Sequence, residues 1–156
     1  MTCYPSTANG FLVEHAALLH ESHLRLTGRP LMVGQITPAA LGESMFNADF
    51  VVVSSGMEPD PLFNYANRTA LDLFELDWGS FTAMPARESA EPEDQSTRAA
   101  LMRQVHDQGF IDDYAGVRIS ASGRRFVIER ATVWNVIDAV GKLHGQAATF
   151  SAWRYL

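Results

Sequence analysis

Arg130 has the clearest chemical potential in this chain, because it interrupts an apolar strand pattern. Phe126 and Ile128 are followed, at the same two-residue spacing, by Arg130, Thr132 and Trp134. A filled core would remain apolar along such a face, and an arginine there is costly unless an anion pairs with it. Guanidinium, hydroxyl and indole groups side by side are suited to binding a small carboxylate or an aromatic molecule.

Two interpretations of Arg130 are open from the sequence. In the structural one, it forms a salt bridge, for instance with Glu88 or Glu91, or its side chain extends out to solvent. In the functional one, it lines an internal pocket for a small organic ligand that is anionic or aromatic. The predicted ligand-binding residues are Arg130, Thr132, Trp134, Tyr114, Arg87 and Gln146.

The remaining polar residues favour no catalytic or metal-binding class. The sequence contains no glycine-rich phosphate loop, no nucleophile elbow and no pair of metal ligands at coordinating spacing. Asp112 and Asp113 are adjacent acids, but neighbours on a strand point to opposite faces. His15 and His20 would project about 140° apart on a helix, so they cannot share a small ion. We therefore predict neither an enzyme nor a metal site.

The composition predicts one globular domain without a nucleic-acid or membrane partner. The chain has 156 residues, 47% of them hydrophobic, which is enough for a core of its own. A net charge of −6 argues against binding a phosphate backbone. No apolar run approaches the roughly 18 residues of a membrane span, and the N-terminus lacks the charged start of a signal peptide. Cys3 alone cannot form an intrachain disulfide, so we predict a soluble cytoplasmic protein.

Apolar spacing and turn residues predict the order of the secondary-structure elements. A flexible tail over residues 1–10 precedes a single domain over 11–156, whose N-terminal helix covers 11–27. Asn67 ends a strand and caps the next helix, which is a structural role. The predicted strands are 50–54, 62–67, 111–120, 124–137 and 143–153, and the later helices are 68–76 and 92–108. We therefore predict an α+β fold with a five-stranded antiparallel sheet, helices on one face and an extra N-terminal helix.

The register of the hairpin between the third and fourth strands decides which residues face the core. A two-residue turn would pair Ile119 with Phe126 and place Arg130 on the core face. The opposite face would carry Arg118 and Glu129, which can pair diagonally across the strands. The apolar residues of that face, which need a cover, are Val127, Ala131 and Val133. The N-terminal helix, a second subunit or both would cover them, so we predict a homodimer.

Four segments resemble one protein family. They are YANRTALDLFE, PARESAEP, DYAGVRISASGRRFVIERATVWNVID and GQAATFSAW. Together they resemble the MEKHLA domain, a PAS-related family found at the C-terminus of plant class III homeodomain–leucine zipper proteins and in stand-alone bacterial proteins. The sequence contains neither a homeodomain nor a zipper, so it resembles the stand-alone bacterial type. The resemblance implies a PAS-like fold and a sensory or dimerisation role, with no catalytic residue to carry over.

A PAS-related fold raises the question of a cofactor. His106 lies on the long helix where some PAS sensors carry a haem ligand, but one histidine does not define a haem site. Flavin photoreceptors of this fold need a reactive cysteine beside the ring, and Cys3 lies in the tail. We therefore predict no cofactor. Two alternatives stay open: a sensor with an internal ligand pocket, and a dimerisation or protein-interaction module with a filled core.

Overall fold

The computed structural model of the protein describes residues 3–156. The helices are α1 (Val13–Thr27), α2 (Leu41–Phe46), α3 (Arg68–Phe74), α4 (Trp78–Thr82) and α5 (Gln95–Gln108). The strands are β1 (Val51–Ser55), β2 (Phe63–Ala66), β3 (Phe110–Ile119), β4 (Arg125–Ile137), β5 (Leu143–Phe150) and β6 (Ala152–Tyr155). Each predicted helix and strand is present, with ends that differ from the predicted ones by a few residues.

All strands join one antiparallel sheet in the order β2-β1-β5-β4-β3. β6 also pairs with β4, and only Ser151 separates it from β5. β5 and β6 therefore act as one interrupted strand, and the sheet has the predicted five-strand arrangement. This confirms the predicted α+β class.

Asn67 joins three elements at the point where β2 gives way to α3. Its Oδ1 accepts hydrogen bonds from the N–H groups of Ala70, at 3.2 Å, and Val52, at 3.1 Å. Its Nδ2 donates to the carbonyls of Met45, at 3.1 Å, and Phe50, at 2.7 Å. Every hydrogen-bonding position of this fully buried amide is thus used. The predicted cap is confirmed, and the same side chain also fixes α2 and β1.

The N-terminal segment contains more regular structure than the predicted flexible tail. A 3₁₀ helix spans Thr7–Leu12, and α1 begins at Val13, slightly later than predicted. The ring of Tyr4 packs edge-on against Phe46, with centroids 5.5 Å apart. α1 ends as predicted, at Gly28, whose φ of +73° closes the last turn. The first two residues of the predicted tail lie outside the described part of the chain.

α1 and α5 cover opposite faces of the sheet. Trp134 donates from Nε1 to Ser22 Oγ of α1 at 3.1 Å, and Arg25 donates to the last carbonyl of β4 at 3.1 Å. The next residue on β4, Asn135, points the other way and donates to the carbonyl of His106 in α5 at 3.1 Å. Successive strand residues point to opposite faces. The N-terminal helix therefore covers one face of the sheet, as predicted, but it covers Trp134, which was predicted on the core face. Val133, predicted to need this cover, lies on the α5 side instead.

The register between β3 and β4 differs by one residue from the predicted one. Arg118 pairs with Phe126, and Ile119 pairs with Arg125, because the connection runs over residues 120–124 and is not a two-residue turn. Residues paired across two strands share a face. Arg118 therefore shares the face of the fully buried Phe126, and its predicted place on the outer face is wrong.

A β-bulge at Arg130 reverses the faces of the second half of β4. The pairing register shifts beside this residue, whose backbone is left-handed with a φ of +51°. One extra residue inverts the alternation that follows it, so Thr132 and Trp134 do not share the face of Ile128. Arg130 itself is exposed. The prediction that it faces the core is wrong, because the two-residue alternation on which it depended does not continue through a bulge.

Candidate functional site

A cavity lies between the core face of the sheet and α5. Its volume is about 50 Å³, counted as the space open to the centre of a water molecule. Its wall is mostly apolar and includes Val53, Phe63, Phe74, Ile128, Val133 and Phe150. The long polar side chains that line it are Arg98, Tyr114, Arg118 and Gln146. An apolar wall with a few convergent polar groups is typical of small-molecule sites.

Arg118 is the buried cation of this cavity. It lies on β3, and the residue is only 7% exposed. Its Nη1 donates to the carbonyl of Val117 at 2.8 Å, and its Nη2 donates to Tyr114 Oη at 3.2 Å. None of the seven ion pairs among residues 3–156 includes Arg118. A guanidinium this deeply buried normally has a counter-charge.

Arg98 brings a second guanidinium to the cavity from α5. Its side chain is half-buried, and it has neither a hydrogen bond nor an ion pair with any of residues 3–156. Burial, together with repulsion from Arg118, lowers the pKa of Arg98 to about 10. At neutral pH Arg98 therefore still carries its charge. The cavity is therefore strongly positive and contains no carboxylate among its lining residues.

Gly116 makes the contact between Tyr114 and Arg118 possible. These three residues alternate along β3 on the same face. A Cβ atom at Gly116 would lie 2.2 Å from Tyr114 Oη and 3.1 Å from Arg118 Nη1. The first distance is far below van der Waals contact, so a side chain here would displace the tyrosine. The missing side chain leaves room for the phenol to lie across the strand and accept from the guanidinium.

Gln146 connects the cavity wall to α5. It donates from Nε2 to the carbonyl of Met102 at 2.8 Å, and Asn135 Oδ1 lies 3.4 Å from the same nitrogen. Val105 is the one residue of α5 that is fully buried. α5 is therefore held on the sheet by few contacts, and Gln146 supplies one of them from inside the cavity.

The structure brings together two of the six predicted ligand-binding residues. Tyr114 and Gln146 line the cavity. Thr132 is half-buried and pairs with Thr149 in the sheet, away from the cavity. Trp134 is fully buried on the other face, where its ring meets His23 edge-on at 4.8 Å. These corrections follow from the bulge in β4.

The other two predicted arginines also lie outside the cavity. Arg87 is about half exposed and binds Asp60, with Nε–Oδ1 and Nη2–Oδ2 both at 3.1 Å. Arg130 has no ion pair with any of residues 3–156, so the proposed salt bridge is wrong, and its exposed side chain agrees with the alternative in which it extends to solvent. The two acids proposed for it have other partners: Glu88 lies beside Arg87, and Glu91 pairs with Arg125.

The predicted pair between Arg118 and Glu129 does not form. Glu129 lies 3.5 Å from Arg154 Nε, on the outer side of β4 and β6. Arg118 points into the cavity instead. Sequence reasoning therefore named Arg118 with the wrong role, and it missed Arg98 altogether. A signal for Arg118 was present in the segment DYAGVR, where tyrosine, glycine and arginine alternate on one face.

The residues of the cavity do not fit the two PAS cofactors considered from the sequence. His106, the alternative haem ligand, has a 64% exposed side chain on the outer surface of α5. Cys3 is exposed in the N-terminal segment. No histidine or cysteine among residues 3–156 lines the cavity. Ligation of haem or a covalent flavin bond would therefore have no residue to use there.

The sequence as a whole can be matched to a known family. The MEKHLA domain matches residues 13–155, which is nearly the whole chain. The chain belongs to the MEKHLA domain family. The predicted resemblance is therefore confirmed, while the stand-alone bacterial type stays a prediction.

This MEKHLA domain is similar to parts of several plant proteins. Homeobox-leucine zipper protein ATHB-9 of Arabidopsis thaliana is 31% identical over 99 residues, which cover 62% of this chain and 11% of that protein. REVOLUTA, also a homeobox-leucine zipper protein of Arabidopsis thaliana, is 28% identical over 115 residues, which cover 67% of this chain and 13% of that protein. HOX9 of Oryza sativa subsp. japonica is 24% identical over 120 residues, which cover 75% of this chain and 14% of that protein. The chain thus spans only a small part of these relatives.

Solved structures confirm the PAS-like fold. A PAS domain from Colwellia psychrerythraea has a TM-score of 0.61 at 12% identity, covering 73% of this chain and 92% of that one. The light-state dimer of the fungal blue-light photoreceptor Vivid has a TM-score of 0.56 at 15% identity, and the match covers 83% of this chain and 90% of that one. At these identities the likeness concerns the fold alone.

Proposed function

We propose that this MEKHLA domain is a regulatory module that binds a small organic molecule in the cavity between its sheet and α5. The observation that carries the proposal is the buried guanidinium of Arg118, which faces an apolar cavity without a carboxylate partner. Burying a charge without a partner is unfavourable. A bound molecule that accepts hydrogen bonds from Arg118 would remove this cost, and the apolar wall would hold its carbon atoms.

The alternative is a dimerisation or protein-interaction module with a filled core. It predicts that no molecule binds saturably between the sheet and α5. A homodimer is compatible with both functions and stays a prediction, which sedimentation at about tens of micromolar tests. No helix among residues 3–156 is long and apolar enough to cross a bilayer. Cytoplasmic location, the lack of catalysis and the lack of a nucleic-acid partner remain part of the proposal.

A fragment screen by nuclear magnetic resonance tests the proposed function. We expect some members of a library of small organic molecules to shift the amide resonances of β3, β5 and α5 in a saturable way. Ala148→Leu adds three carbons inside the cavity and should abolish these shifts. Ala115→Leu, at an exposed position of β3, is the matched control and should leave them unchanged. If no library member moves a cavity resonance, the filled-core alternative is correct.

A further inference from the structure

We infer that the ligand is a small monocarboxylate with a short apolar tail, bound between Arg118 of the sheet and Arg98 of α5. The inference rests on the proposed function, because it names the chemical class that the same cavity takes. It also assigns a binding role to Arg98, a residue that faces the cavity from the other layer of the fold.

The charge of the cavity selects an anion. Arg98 and Arg118 line one small space, and neither has an ion pair within residues 3–156. Two guanidinium groups that repel each other are stabilised by any negative group placed between them. Asp94 and Glu93, the acids closest to Arg98 in sequence, form no ion pair with it, and Glu91 pairs with Arg125. Within residues 3–156, neither guanidinium of the cavity therefore has a carboxylate partner.

The hydrogen-bond donors left over suit a carboxylate. Arg118 uses one hydrogen on Val117 and one on Tyr114, so three of its five N–H donors remain. Tyr114 accepts from Arg118, which leaves its own O–H free to donate. Arg98 contributes a complete guanidinium fork. A carboxylate has two oxygens with about four acceptor positions, and planar guanidinium groups bind it in a bidentate manner.

The rest of the cavity selects an apolar tail. Beyond the arginines most of the wall is apolar, with side chains such as Phe63, Phe74 and Phe150. The polar residues of that wall include Ser54, Ser89 and Gln146, each of which already donates a hydrogen bond within the protein. A dicarboxylate or a sugar would leave polar atoms unpaired against the phenylalanine rings, which is unfavourable. An aliphatic tail would instead gain from burial. One charged end and one apolar end therefore fit the distribution of groups.

The volume limits the length of the tail. The cavity has about 50 Å³ open to water centres, and a single water needs about 10–15 Å³ by this measure. Roughly three to five water-sized groups fit, which is the size of acetate or propionate. Longer acids would have to displace Met102, a flexible side chain at the α5 side of the cavity. Propionate is therefore the natural probe.

The ligands of the first experiment separate charge from shape. The full-length protein, labelled with ¹⁵N, is titrated at constant ionic strength with propionate, propionamide and inorganic phosphate. We expect saturable shifts around Tyr114, Arg118 and the start of α5 with propionate. The amide has the same shape without the charge, so it should bind at least tenfold more weakly. Equal affinity for the amide would overturn the carboxylate, and equal affinity for phosphate would overturn the apolar tail.

Variants of the second experiment locate the binding groups. Arg118→Met and Arg98→Met should each weaken propionate binding by roughly 10- to 150-fold, the effect of losing a hydrogen bond to a charged group. Arg103→Met, on the exposed side of the same helix, is the matched control and should bind propionate normally. If Arg118→Met does not fold, Arg98→Met alone tests the two-arginine site. We expect this variant to fold, because the side chain of Arg98 is only half-buried. Unchanged affinity in Arg98→Met would overturn the two-arginine site.

The outcomes distinguish this inference from the proposed function. Binding of neutral fragments in the cavity, without binding of propionate, would overturn the carboxylate class and leave the ligand-binding function intact. The absence of any binding, with Ala148→Leu behaving like the unchanged protein, would overturn both. Propionate binding that Ala148→Leu abolishes would support both.

Discussion

Replacing Asn67 by aspartate should strongly destabilise the fold, although it changes a single side-chain heavy atom. The change Asn67→Asp keeps the size and both acceptor bonds but removes the NH₂ group that donates to Met45 and Phe50. Two groups would then lack a partner: the carbonyl of Phe50 and the new carboxylate oxygen itself, which has no donor facing it. The carbonyl of Met45 would keep its hydrogen bond from the N–H of Ala48 at 3.3 Å. Each unsatisfied buried group costs about 1–3 kcal/mol, so we expect a loss of about 2–6 kcal/mol. That is a large part of the 5–15 kcal/mol that stabilises a typical domain.

The same variant has a defined pH dependence. Burial and the two facing carbonyls disfavour the charged carboxylate, so its pKa in the folded protein lies above the unfolded value of about 3.9. The folded state then binds the proton more readily than the unfolded state. The destabilisation is therefore greatest at neutral pH and decreases as the pH falls through the folded pKa, where an O–H can restore one donor.

Urea denaturation at pH 7 and pH 5, followed by circular dichroism, measures both effects. Asn47→Asp introduces the same charge at an exposed position next to α2, and it should change the free energy of unfolding by no more than about 1 kcal/mol. Asn67→Asp should unfold at a much lower urea concentration, and the difference should shrink at pH 5. A loss below 1 kcal/mol at pH 7, with an unchanged dependence on urea, would refute the role assigned to the Asn67 amide.

Three further predictions follow from particular side chains. Burial lowers the pKa of His15 to about 4, so stability should fall as the pH drops from about 6.5, where the unfolded histidine takes up its proton, towards 4. His15→Gln should flatten that part of a plot of melting temperature against pH, and an unaltered slope would contradict this. Arg130→Gly should raise the free energy of unfolding by up to about 1 kcal/mol in urea denaturation, because it relieves a left-handed backbone, without changing propionate affinity. Gly116→Ala should lower the free energy of unfolding by about 1–3 kcal/mol in urea denaturation, because the new Cβ displaces Tyr114. The same variant should bind propionate more weakly, and normal binding would show that the position of Tyr114 does not matter for the ligand.

Features that depend on local sequence were predictable. The cap at Asn67 and the helix end at Gly28 each follow from the chemistry of one residue and its close neighbours in the chain. The element order also follows, because apolar spacing distinguishes helices from strands. The residue at which α1 begins could not be predicted from the local sequence pattern. Phe11 and Leu12 adopt a left-handed backbone there, after Gly10, although neither is a residue type that favours it.

The cavity was predictable as a feature of the fold, but its second arginine was not. Arg98 lies on the same helix face as Leu101, Met102 and Val105, at the i, i+3, i+4 and i+7 spacing of a face that meets a sheet. This spacing indicates the inward face of α5, but it does not say which strand residue lies opposite Arg98. The orientation of α5 is set by bonds such as the one from Gln146 to the Met102 carbonyl, which join residues far apart in the chain. Only the tertiary structure therefore reveals that Arg98 and Arg118 meet.

The sequence pattern placed Arg130 in the cavity, whereas the structure places Arg118 there. The reason is that alternation along a strand shows which residues share a face but not which face is buried. Both arginines alternate with apolar neighbours, so a one-residue difference in register decides which of them points inward. The loop of residues 120–124 sets that register, and the bulge at Arg130 then turns this residue outward. The distinguishing signal is steric: two long side chains can share one strand face only if the position between them is small. Gly116 stands at such a position between Tyr114 and Arg118, whereas the half-buried Thr132 follows Arg130.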